Sequence, residues 1–157
     1  MISCRKMAAA LLAALSTATP AFAAGPLAPF AGSFHGGGAV IGSDGHRERL
    51  SCRARGGVGE GGHALSQNIV CASDSYRFNI VANVVAQGAE ASGQWSESTR
   101  GVSGSIAGRV GEGRFSGAVN GGGFNASVSL RATGRGLSMS LAPSGGDVSR
   151  VDVSLSR

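Results

Sequence analysis

From residue 32 onward the sequence consists of short runs in which apolar and polar residues alternate, each ended by a cluster of Gly, Asn, Asp or Ser. A period of two assigns successive side chains to opposite faces, so the pattern constrains the chain to half-buried β-strands. The clearest run is Tyr76 to Val85. Tyr76, Phe78, Ile80, Ala82 and Val84 share one face, while Arg77, Asn79, Val81, Asn83 and Val85 share the other. A second run places Phe124, Ala126, Val128 and Leu130 inward against Asn125, Ser127, Ser129 and Arg131. Leu137, Met139 and Leu141 oppose Ser138 and Ser140, and Val151, Val153 and Leu155 oppose Asp152 and Ser154. Weaker runs lie near 33–42, 47–55, 64–73, 89–96, 101–110 and 113–119.

The breaks between runs are short: Ser43–Gly45, Gly59–Gly62, Ser73–Ser75, Gly111–Gly113, Asn120–Gly123, Thr133–Gly136 and Pro143–Gly146. Residues of these types suit tight hairpin turns, whereas parallel neighbours need long crossovers. The expected fold is therefore all-β: an antiparallel meander of about 8–10 strands forming a small barrel, half-barrel or sandwich, preceded by a signal-peptide helix. Many inward positions are small, among them Ala82, Gly104, Gly108, Gly117 and Ala126. They are compatible with an internal cavity or with two closely packed sheets.

The N-terminus reads as a secretory leader. Arg5 and Lys6 precede an apolar stretch, Met7 to Leu15, and Pro20 is followed by Ala21-Phe22-Ala23. A basic start, a short apolar run and an A-x-A site define a cleavable signal peptide, and the apolar run is shorter than the roughly 20 residues a membrane span requires. Cleavage is expected after Ala23. The predicted organisation is a signal peptide at 1–23, a loose lead at 24–31 containing Pro26 and Pro29, and one β domain at 32–157. A periplasmic or secreted location follows. Without Arg5 and Lys6, 12 basic residues face 9 acidic ones, and net charge falls from +5 to +3. The arginines are spread along the sequence, which argues against the basic stripe of a nucleic-acid binder.

Cys4 leaves with the leader, and Cys52 and Cys71 remain as an even pair in an exported chain, which implies a disulfide. A hairpin folded about the Gly61–Gly62 bond places Cys52 directly opposite Cys71, within the spacing a bridge tolerates.

Residues that could carry chemistry do not assemble in the sequence. His35, His46 and His63 are the three histidines. Glu48 lies near His46 and Glu60 near His63, but a zinc site needs three or four ligands, so no metal or cofactor is expected. The Gly57-x-Gly59-x-x-Gly62 pattern lacks the βαβ context of a dinucleotide fingerprint and reads as a hairpin loop. No G-x-S-x-G elbow occurs, and paired cysteines are not nucleophiles. No catalytic residue is therefore nominated. Trp95, the single tryptophan, is read as core packing with a ligand-facing role as the alternative. Phe34 and Tyr76 carry the same two readings.

Gly32-Ser-Phe34-His-Gly36 is similar to the Gly-x-aromatic start of the first strand in lipocalins and related calycin barrels, with Phe in place of Trp. More broadly, the chain resembles small exported bacterial β-rich proteins of unknown function. The residues carrying that likeness are the early Gly-aromatic strand, Cys52-Arg-Ala54, Cys71-Ala-Ser-Asp-Ser-Tyr76 and Gly93-Gln-Trp95-Ser-Glu97. The resemblance implies fold and compartment and brings no activity. The functional expectation is a non-enzymatic periplasmic barrel-like protein that binds a small or apolar ligand or supports the envelope. A protein-interaction module is the alternative, and an outer-membrane β-barrel is the remaining one. No nucleic-acid partner, and no membrane span after leader cleavage, is expected.

Overall fold

A computed structural model describes residues 23–157, so the leader expected at 1–23 lies almost wholly outside the described residues. Ten strands run β1 (Gly32–Gly42), β2 (Arg47–Gly59), β3 (Ala64–Ala72), β4 (Arg77–Gln87), β5 (Glu90–Glu97), β6 (Val102–Gly111), β7 (Arg114–Gly121), β8 (Phe124–Ala132), β9 (Gly136–Pro143) and β10 (Val148–Ser156). Every strand pairs antiparallel with its sequence neighbours, and β10 returns to pair with β1, so the sheet closes on itself. The architecture is a meander barrel, not a half-barrel or sandwich. Lipocalins use eight strands, so this barrel departs from that pattern by two.

The sidedness follows from the alternation. Inward positions form one apolar core from Phe34, Val40, Leu50, Ile69, Val84, Ile106, Phe115, Val128 and Val153 among others. Outward positions carry mainly Ser, Asn and Arg. Cys52 and Cys71 are register partners on β2 and β3, and they form a disulfide with their Cα atoms 4.1 Å apart.

Several inward glycines sit where neighbouring backbones crowd together. A side chain at Gly93 would overlap the Asn83 carbonyl, and one at Gly104 would overlap the Asn120 carbonyl. Glycine in a barrel strand marks such bends. Gly104, Gly108 and Gly117 therefore sharpen curvature in one wall, and the open space lies elsewhere in the lumen.

Two expectations change. Residues 24–31 are not a loose lead. Gly25 N–H donates to the Gly61 carbonyl (2.7 Å) and Leu27 N–H to the Gly62 carbonyl (3.0 Å). A 3₁₀ turn at Ala28–Phe30 then buries Leu27 and Phe30, 2% and 1% exposed, in one end of the barrel. Apolar burial and backbone hydrogen bonds outweigh the loop signal of the two prolines. Nor are all the arginines dispersed in space. Arg47, Arg49, Arg53 and Arg55 all project from the outer face of β2, because residues two apart share a face. Opposite them stand Ser33, His35, Ala39 and Ile41 on β1 and Asn68 and Val70 on β3.

Candidate functional site

The two barrel ends differ. One carries the turns after β2, β4, β6 and β8, and it is plugged by the N-terminal segment. The other carries the turns after β1, β3, β5, β7 and β9. Between them lies a cavity of about 410 Å³, within the range of small-molecule sites. An eight-stranded barrel is about filled by its own side chains or holds one small ligand. Two further strands widen the lumen beyond that.

The walls are almost entirely apolar. Leu27, Phe30, Leu65, Val84 and Phe115 line the plugged end, Ile69 and Ile106 the middle, and Tyr76, Phe78, Val102, Phe124 and Val148 the rim. Trp95 combines both of its expected readings. It is 8% exposed and part of the core, and its indole also lines the cavity. Its Nε1–H donates to the Ser105 carbonyl (3.1 Å), and its ring meets Phe124 edge-on at 6.0 Å. Tyr76 lines the rim and stacks on Phe78 with ring centroids 6.1 Å apart. Phe34 is a core residue outside the cavity wall, covered by the Arg157 guanidinium at 4.7 Å.

Three polar residues on the wall escaped sequence reading: Gln67, Glu97 and Arg100. Glu97 is buried at the end of β5 and accepts three backbone hydrogen bonds. Asn79 N–H (3.1 Å) and Thr99 N–H (2.8 Å) donate to Oε1, and Arg100 N–H (2.8 Å) donates to Oε2. Burial opposes its ionisation, but these donors together outweigh it and hold the carboxyl at about 2. It is a clasp for the β5–β6 turn. Arg100 lies half-exposed at the rim, 5.2 Å above the Phe78 ring, and donates to the Arg77 carbonyl.

Gln67 is the exception to hydrogen-bond satisfaction. It is 5% exposed, and neither carboxamide atom has a partner among the described residues. Its inward position was legible, since Leu65, Gln67, Ile69 and Cys71 share one face of the 64–73 run.

His35, His46 and His63 are all exposed, and no group of three metal-ligating side chains occurs among the described residues. The Gly57–Gly62 pattern lies at the end of β2 and in the following turn, as a hairpin connection requires. Nor does any described helix have the length and apolarity to cross a membrane.

Fold and site together define a closed antiparallel barrel with an apolar lumen, plugged at one end and rimmed by aromatic residues at the other. No protein-family model and no curated protein matches the chain.

Proposed function

We propose that this chain is an exported, non-enzymatic barrel that holds a small apolar ligand in its lumen, in the periplasm or outside the cell. The cavity of about 410 Å³, walled by aromatic and aliphatic side chains, carries this reading. Transfer of an apolar ligand into such a space is favoured by roughly 25 cal/mol per Å² of its surface removed from water. Export is supported by the Ala21-Phe22-Ala23 site and by the Cys52–Cys71 disulfide, which belongs to an oxidising compartment.

The remaining polar chemistry fits binding better than catalysis. Glu97 is spent on backbone amides and stays ionised at neutral pH, so it is a poor proton donor. Closure of β1 on β10 removes the free sheet edge that a strand-capturing interaction module would offer. An integral outer-membrane barrel needs an apolar outer band and a polar interior. This barrel has the reverse, with Arg49, Arg53, Ser92, Ser116 and Ser129 facing out.

The test is a fluorescence titration of the detergent-free protein with the neutral apolar dye N-phenyl-1-naphthylamine, using Trp95 as energy donor. Saturable one-to-one binding that quenches Trp95 is the expected result. No quenching at any dye concentration overturns the proposal.

A further inference from the structure

Gln67 lies on the same hydrogen-bonded row as Gly56, Ala82 and Trp95, all at inward positions. Gly56 contributes no side chain, and a methyl there would meet Gln67 Oε1 and the Phe30 carbonyl. The carboxamide thus rests between the bare backbone of β2 and the plug. On its other side Ala82 and then Trp95 follow in the row, and Gln67 lines the cavity wall while its two carboxamide atoms are themselves buried. A carboxamide carries two donors and two acceptor sites, and buried ones are satisfied in the great majority of proteins. Here none is satisfied by any described residue. The torsion that turns the carboxamide is broad and roughly two-fold, so its donor and acceptor can exchange places.

We infer that Gln67 is the recognition point for an uncharged amphiphile whose end group both donates and accepts hydrogen bonds, such as a primary amide or an alcohol, inserted end-group first toward the plug. This rests on the apolar-ligand reading above and names the ligand class. Charge excludes the ionised alternative. The charged residues lining the cavity are Glu97 and Arg100. Glu97 belongs to the row of Ile80 and Val102, nearer the rim, and Arg100 projects from the rim turn. A carboxylate at Gln67 would be desolvated with no cation beside it, which is strongly unfavourable. Trp95 has already committed its N–H to a backbone carbonyl, so its indole offers a stacking face and leaves hydrogen bonding to Gln67.

The test is displacement of N-phenyl-1-naphthylamine from the full chain, exported through its own leader, by decanamide, 1-decanol, undecane and decanoate at pH 8. Decanamide should displace most tightly, about tenfold better than undecane, equivalent to about 1.4 kcal/mol, with decanoate weakest. Gln67→Leu and Gln67→Met should each abolish the amide advantage while undecane binds as before or better. Both variants should be at least as heat-stable as the parent, because an unsatisfied polar group has been removed.

If the dye binds but the four competitors are not discriminated, or both variants keep the parent's preferences, this inference fails and the apolar-ligand reading survives. Variants that lose heat stability while keeping those preferences give Gln67 a structural role and also overturn it. If the dye does not bind, both readings fall together.

Discussion

Replacing Glu97 by glutamine tests how the rim of the barrel is held together. The carboxylate receives N–H groups from three residues on two sides of the rim, Asn79 of β4 and Thr99 and Arg100 of the β5–β6 turn. Its pKa falls from the ordinary 4.5 to about 2, corresponding to about 3 kcal/mol of stabilisation by the ionised form. The side chain is 6% exposed, so water screens this little. The carboxamide of the Glu97→Gln variant would keep one acceptor oxygen and turn an NH₂ group toward an N–H that needs an acceptor. Urea unfolding at pH 7 should show a loss of about 3 kcal/mol, or roughly 1–3 M in midpoint. The folded pKa lies below the unfolded one, so the carboxylate's contribution is complete above pH 4.5 and disappears as pH falls toward 2. The gap between parent and Glu97→Gln should therefore be full at about pH 7 and mostly gone at about pH 2.5. A gap under about 1 kcal/mol at pH 7, or one equally large at both pH values, would refute the three-donor clasp.

Other perturbations address the remaining elements. Reducing the Cys52–Cys71 bridge should raise the mass by two hydrogen atoms and lower stability by about 3 kcal/mol, the loop-entropy value for a separation of 19 residues; an unchanged mass would disprove the bridge. Phe30→Ala should cost about 3–5 kcal/mol and speed escape of dye from the lumen in stopped-flow dilution, whereas a loose N-terminal lead would leave both quantities unmoved. Gly93→Ala should cost about 1–3 kcal/mol by overpacking, because its methyl overlaps the Asn83 carbonyl; Gly57→Ala, with nothing within 4 Å of the new methyl, should be close to neutral. Equal urea midpoints for the two glycine variants would contradict the assigned bends.

Which features the sequence disclosed follows from the range of the forces involved. Strand faces are local, since alternation along Phe124–Leu130 or Tyr76–Val85 records burial residue by residue. The pairing of Cys52 with Cys71 was also accessible, because a short turn sets hairpin register. Closure was not, since β1 meets β10 across the full length of the domain and no local pattern records that contact. The plug was hidden for a related reason. Leu27 and Phe30 show no strand alternation, and their burial depends on a barrel end assembled from distant turns.

The arginine stripe was missed for a different reason: charge was read along the chain and not by face, although Arg47, Arg49, Arg53 and Arg55 all have the same parity. Gln67 was visible as a polar residue on an inward face. Only the three-dimensional structure shows that nothing within the described protein satisfies it. The turns at Gly88-Ala89 and Ser98–Gly101 were also overlooked; each has a single Gly and no Asn or Asp.

Under the proposed function, the lumen of the exported protein holds an apolar molecule. Native mass spectrometry of the protein recovered from the periplasmic or secreted fraction without detergent measures this directly. The predicted spectrum shows a disulfide-bonded chain beginning at Ala24, carrying one retained small lipid-like mass that is lost on gentle activation. A bare chain recovered with a stoichiometric protein partner would contradict the ligand-binding reading and identify an interaction module instead.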